Sequence, residues 1–186
     1  MMEHDEQLVD ELLVMECQDG SVKAFDSLVR RWQKRLWRYA YRLTGDSEAA
    51  WDVTQESWLA VVRGINRLQD PARFKSWVYR IVTHKTQDWI AGKVKARRRY
   101  VPAVSDEPEQ SGLPERELSD ELQDLMRRLP PSSRIILTLH YLEGWPVAEM
   151  AGILGIPEGT VKSRLHGARN ELKTLWLLAS EERSSK

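Results

Sequence analysis

Residues 154–166 read Leu154-Gly155-Ile156-Pro157-Glu158-Gly159-Thr160-Val161-Lys162-Ser163-Arg164-Leu165-His166, and this stretch decides the fold class. Glycine and proline two residues apart stop any helix that reaches them. Upstream, Val147, Met150, Ala151 and Leu154 recur at helical spacing on a short segment. Downstream, a new helix begins near Glu158, and Val161, Leu165, Ala168, Leu172 and Leu175 line one side of it. Two helices across a glycine-containing turn make a helix-turn-helix. On the second helix, at about 100° per residue, Thr160, Ser163, His166, Gly167 and Asn170 face away from that apolar side. Lys162, Arg164, Arg169 and Lys173 flank them. Polar groups on such a helix suit the major groove, with phosphates at the basic flanks. A helical hairpin in a protein-binding module shares the pattern. Before the motif, Pro130 and Pro131 fit a helix start, and Ile135, Ile136, Leu139 and Leu142 give the next helix an apolar face.

Further toward the N-terminus, Phe25, Leu28, Val29, Trp32, Leu36, Tyr39, Ala40 and Leu43 form one continuous stripe over residues 22–43. A second helix spans about Ser47 to Ile65, with Trp58, Val61, Val62 and Ile65 as its buried stripe. Asp52, Gln55, Glu56 and Leu59 recur on another face, which reads either as solvated or as a docking surface. Asn66–Arg73 reads as a connecting loop. A third helix from about Phe74 to Val94 carries Phe74, Trp77, Val78, Ile81 and Val82, and a basic run follows it to Arg99. Aromatic residues interleaved with basic ones suit single-stranded nucleic acid, through ring stacking and phosphate neutralisation. A tryptophan core with solubilising lysines and arginines fits equally. No alternating strand pattern appears, so the chain is expected to be all-α.

The 186 residues carry 28 Lys+Arg and 28 Asp+Glu, a formal net charge of zero. That sum hides an asymmetry. Residues 1–99 hold 18 basic and 14 acidic side chains, residues 100–121 hold 1 and 7, and residues 122–186 hold 9 and 7. The acidic piece also contains Pro102, Pro108, Pro114 and Gly112 and little to bury. It reads as an extended, flexible acidic linker, or else as an ordered surface loop. The expected organisation is a helical domain over 1–99, a linker over 100–117, a smaller helical domain over 118–180 and a tail over 181–186.

Several classes fall away. One cysteine excludes a disulfide scaffold or a multi-cysteine zinc site, and the acidic N-terminus is no signal peptide. No stretch is long and apolar enough to span a membrane, so no membrane insertion and a cytoplasmic location are expected. No catalytic triad, phosphate loop, metal-ligand spacing or cofactor motif is recognisable, so no enzyme, metal or cofactor is expected.

The segments together resemble the small two-domain extracytoplasmic-function sigma factors of bacterial RNA polymerase, within the sigma-70 family. The resemblance is carried by Ala24-Phe25, Thr44-Gly45-Asp46, Asp52-Val53-Thr54-Gln55-Glu56-Ser57-Trp58, Phe74-Lys75-Ser76-Trp77-Val78-Tyr79-Arg80-Ile81, Leu129-Pro130-Pro131, Tyr141-Leu142-Glu143-Gly144, Glu149-Met150-Ala151 and the run Gly159 to His166. It covers roughly residues 5–100 and 118–178. It implies that Asp52, Gln55, Glu56 and Leu59 dock on the β′ clamp helices of core polymerase, with the β flap as a further contact. It implies that Asn66, Arg67, Arg73, Lys75, Trp77, Arg80 and His84 meet the −10 element, one unpaired base entering a pocket formed by the loop. Thr160, Lys162, Ser163, Arg164, His166 and Arg169 would meet the −35 element. Trp51 stands where many members carry an acid. An anti-sigma factor acting in trans and a role in an envelope or stress response are implied as well. A stand-alone helix-turn-helix regulator would explain the C-terminal half but leave the Asp52–Trp58 segment unused.

Overall fold

The computed structural model describes the backbone of residues 2–99 and 120–184. The linker expected over 100–117 therefore lies outside the described residues. Among those residues there are eight α-helices and no strand: α1 (Met2–Gln18), α2 (Val22–Thr44), α3 (Ser47–Gly64), α4 (Phe74–Arg99), α5 (Asp120–Arg128), α6 (Pro131–Leu137), α7 (Val147–Leu154) and α8 (Glu158–Ser184). Short 3-10 turns at Ile65–Arg67 and Pro71–Arg73 join α3 to α4, and a π turn over Thr138–Leu142 prolongs α6. The chain is all-α, as its periodicity requires. No described helix is long and apolar enough to cross a membrane.

The first unit is a bundle of α1 to α4. Ser21 caps α2, its hydroxyl accepting from the Ala24 amide at 3.2 Å, and Asp46 caps α3 by accepting from the Ala49 amide at 3.1 Å. The α2 stripe then buries Leu28, Trp32, Leu36, Tyr39 and Leu43 against α3 and α4. Each such side chain contributes roughly 1.5–3 kcal/mol by leaving water. Phe25 meets Trp58 edge-on at 5.8 Å. Thr83 donates to the Tyr79 carbonyl at 2.7 Å and meets the Tyr39 hydroxyl at 2.8 Å, so Tyr39 is the donor in that second bond.

Four features depart from the sequence reading. α1 is a full helix packed on α2, although its apolar residues are too mixed with acids to show one stripe. Val14 is its buried contact, and Asp10 pairs with Arg31 of α2 at 2.8 Å. Val62 is not part of the α3 core: it is 54% exposed, because Trp58, Val61 and Ile65 already fill the inward arc. Tyr79, which the stripe on α4 omits, is fully buried. α8 also continues to Ser184, into the residues read as a tail.

In the second unit, α6, α7 and α8 bury Ile135, Ile136, Leu139, Met150, Ile153, Val161, Leu165 and Ala168 together. Gly155 adopts a left-handed φ of 66° between α7 and α8, and its amide bonds back to the Ala151 carbonyl. That conformation makes the helix-turn-helix corner and disfavours a Cβ.

The two units pack directly on each other and share one continuous apolar cluster. Arg134 of α6 donates to the Leu43 carbonyl at 2.7 Å. That carbonyl lies in the last turn of α2 and has no helical partner of its own. Burial, then the nearby Arg127 charge, pulls the Arg134 pKa below its usual value.

Two outcomes follow from this packing. Gly155→Ala should cost on the order of 1–2 kcal/mol, read as a lower urea midpoint at unchanged slope. Cys17 is buried, and burial followed by the Glu16 charge raises its thiol pKa. At pH 8 iodoacetamide should therefore label the native chain far more slowly than the chain in urea. Equal rates would show that Cys17 is accessible as a thiolate.

Candidate functional site

Three exposed surfaces carry the residues singled out by sequence. The first lies on α3. Asp52, Gln55 and Glu56 are exposed, and Leu59 is 56% exposed one turn on. Their spacing of three and four residues makes one contiguous face. Val62 extends it, and Trp51 begins it, its ring 5.9 Å from Trp37. Glu56 pairs with Lys85 of α4 at 3.0 Å. The face thus joins two acids and one amide to three exposed apolar side chains. Val62 was missed because the same helical spacing also fits the buried stripe.

The second surface is a pocket of about 570 Å³ between the end of α3 and the start of α4. Gly64, Arg67, Leu68, Asp70, Arg73 and Trp77 line it. Two devices hold its rim. Gln18 at the end of α1 donates to the carbonyls of Ile65 at 2.9 Å and Leu68 at 2.8 Å. Asp70 accepts from the Ala72 amide at 3.1 Å and pairs with Arg73 at 3.3 Å. Trp77, which the stripe placed in the core, is half-buried and forms a wall of the pocket. A Cβ at Gly64 would lie 3.0 Å from its ring, closer than such contacts normally come. Of the candidate −10 residues, Arg67, Arg73 and Trp77 meet here. Asn66 is exposed on the first 3-10 turn beside the pocket. Arg80 and His84 are exposed further along α4. Lys75 is turned elsewhere, its ammonium 4.6 Å from the Trp145 ring of the second unit. The role of Gln18 was invisible in sequence, because its partners lie 47 and 50 residues away.

The third surface is the N-terminal half of α8. Lys162, Ser163, Arg164, His166 and Arg169 are exposed over the buried Val161, Leu165 and Ala168, and Thr160 is half-buried. Ser163 donates to the Thr160 carbonyl at 3.0 Å, and His166 faces the Asn170 amide at 3.2 Å. Arg169 donates to the exposed Tyr141 hydroxyl at 2.6 Å and lies over its ring. A preorganised arginine loses less conformational freedom when it meets an anion.

This division matches known sequence families. Residues 28–99 match Sigma-70 region 2, and residues 119–172 match Sigma-70 region 4. The chain is 34% identical over 161 residues to the ECF RNA polymerase sigma factor SigE of Mycolicibacterium smegmatis, an alignment covering 83% of this chain and 62% of that relative's length. It is 31% identical over 180 residues to the ECF RNA polymerase sigma-E factor of Escherichia coli, covering 90% of this chain and 94% of that one. In fold it is similar to the sigma factor RpoE of Bartonella quintana, solved in complex with the anti-sigma factor NepR, at a TM-score of 0.65 and 22% identity over 83% of this chain and 98% of that one. A region 2 bundle and a region 4 helix-turn-helix on one chain, aligned almost end to end with a sigma-E factor, place it plainly: the chain belongs to the extracytoplasmic-function family of RNA polymerase sigma factors.

Proposed function

We propose that this chain is a dissociable initiation subunit that directs core RNA polymerase to promoters through −35 and −10 elements and promotes their melting. The observation that carries this reading is the coexistence of three separate exposed surfaces, on α3, at the 64–77 pocket and on α8. The α3 face offers a polymerase clamp both hydrogen-bonding groups and apolar area. The pocket offers an unstacked base a tryptophan wall and two guanidinium groups. A captured base of this kind contributes on the order of 1–3 kcal/mol by stacking, so capture drives strand separation. The outer side of α8 suits the major groove at a −35 element. A stand-alone helix-turn-helix regulator has no use for the first two surfaces.

In this reading residues 1–99 bind core and the −10 element, 118–180 bind the −35 element and the β flap, and the acidic 100–117 segment connects them. The chain works in the cytoplasm, performs no catalysis itself and needs neither metal nor cofactor. It serves an envelope or stress response and is bound by an anti-sigma factor, as the Bartonella quintana neighbour is in its solved complex. A run-off transcription assay with purified core and a genomic promoter library is the direct test. Absence of any opened promoter would overturn the reading.

Three substitutions separate the surfaces. The double variant Asp52→Ala, Gln55→Ala should weaken core binding about tenfold (about 1.4 kcal/mol), with the helical circular dichroism signal unchanged. Gly64→Ala should crowd Trp77 and reduce permanganate reactivity at the −10 element, while duplex −35 binding persists. Lys162→Ala should lower −35 affinity by about 1 kcal/mol and flatten its salt dependence by about one phosphate, leaving core affinity as it was.

A further inference from the structure

One residue from outside the helix-turn-helix joins the basic flank of α8. Lys162, His166, Arg169 and Lys173 are spaced by four, three and four residues, so they line a single edge of α8, and all four are exposed. Tyr141 reaches that edge from the π turn over Thr138–Leu142, before α7 begins. It is 57% exposed, so core packing does not account for its place.

The contact it makes has a specific chemistry. Arg169 Nε donates to the Tyr141 hydroxyl at 2.6 Å, and the guanidinium carbon lies 5.5 Å from the ring centre. His140 meets the same ring edge-on at 4.8 Å, and its Nδ1 lies 3.3 Å from the Trp145 carbonyl. Other arginines on the surface pair with carboxylates: Arg30 with Asp26, Arg31 with Asp10, Arg73 with Asp70. Among the described residues Arg169 has no such acid. A carboxylate partner offsets an arginine's charge. A hydroxyl fixes the direction of the guanidinium and leaves the charge whole.

The pair also keeps donors in reserve. The two outer guanidinium nitrogens retain their N–H groups, and the Tyr141 oxygen, having accepted from Nε, still has its own O–H to donate. A positive charge with several convergent donors suits an anion that offers several oxygens. Arg169 stands seven residues beyond Lys162, about 10 Å further along the helix axis. The first residues of a recognition helix reach base edges, and a side chain so far along is placed for the DNA backbone. From these observations we infer that Tyr141 and Arg169 form one phosphate-binding pair beside the −35 element. Tyr141 donates to a backbone phosphate and holds the Arg169 guanidinium toward the same group. It is a positioning residue for α8: it sets how the helix sits in the groove and reads no base itself.

This inference rests on the proposed −35 role of α8, and the experiment keeps the two apart. Holoenzyme is assembled with the wild-type chain, Tyr141→Phe, Arg169→Ala, the double variant or Lys162→Ala. Each is bound to a promoter duplex recovered by the run-off assay, and affinity, salt dependence and phosphate-ethylation interference are measured. Circular dichroism and core binding should be the same for all five. Tyr141→Phe keeps the ring and removes the hydroxyl, and should weaken DNA binding about fivefold, the scale of one hydrogen bond. Arg169→Ala should weaken it about tenfold and lower the salt slope by about one phosphate. The double variant should lose less than the product of the two losses, because both residues serve one phosphate. Ethylation of that phosphate should no longer interfere in either single variant. A tyrosine that merely staples α8 to the end of α6 would lower the melting temperature of Tyr141→Phe and leave the interference pattern unchanged, which overturns the pair. So does the absence of any phosphate that depends on Arg169. Lys162→Ala then shows whether α8 still holds the −35 element, so failure of the pair and failure of the −35 reading give different results.

Discussion

Tyr79 sits where the whole molecule meets, and its burial constrains everything around it. Its ring fills the space between α2 and α4, 4.9 Å from Tyr39 and 6.5 Å from Trp32. Its other side receives Trp145 of the second unit. A hydroxyl buried at such a junction must be hydrogen-bonded. Tyr79 accepts from Arg35 and donates to Glu143, so the polar requirement of one core residue reaches across the seam. Burial, and then the neighbouring Glu143 charge, push its pKa above the usual tyrosine value, so it remains a neutral donor. The apolar cluster and the ionic clasp therefore meet at this one residue.

The functional surfaces are what this core leaves outside. α3 buries Val53, Trp58 and Val61 on one side and must present Asp52, Gln55, Leu59 and Val62 on the other. α8 buries Val161, Leu165 and Ala168 and so turns Lys162, Ser163 and His166 to solvent. The pocket is different. It comes from a short link between α3 and α4 that cannot close over itself, held open by Gln18 and Asp70.

The zero net charge becomes intelligible in this light. Residues 1–99 and 122–186 each carry a modest basic excess, and an acidic segment between them cancels it. Non-specific DNA affinity depends on how many phosphates are neutralised. So small an excess fits the proposed subunit, which borrows most of its grip on DNA from polymerase.

Helical periodicity and turn chemistry were enough to read the all-α class, the helix-turn-helix at Gly155 and the outward faces of α3 and α8. These are local properties: a stripe at 3.6-residue spacing and a glycine–proline stop act within one or two turns of chain. The family was legible for the same reason, since its landmarks are short contiguous runs. Tertiary structure alone decided the rest. The sequence could not assign Val62 to the surface, since a helix has more apolar positions than its neighbours can cover. It could not show Tyr79 as the centre, Gln18 as the brace of the pocket, or Lys75 stacked on Trp145. Each of these depends on partners tens of residues away, brought together only when the apolar faces pack, and no local pattern encodes which distant partner will arrive.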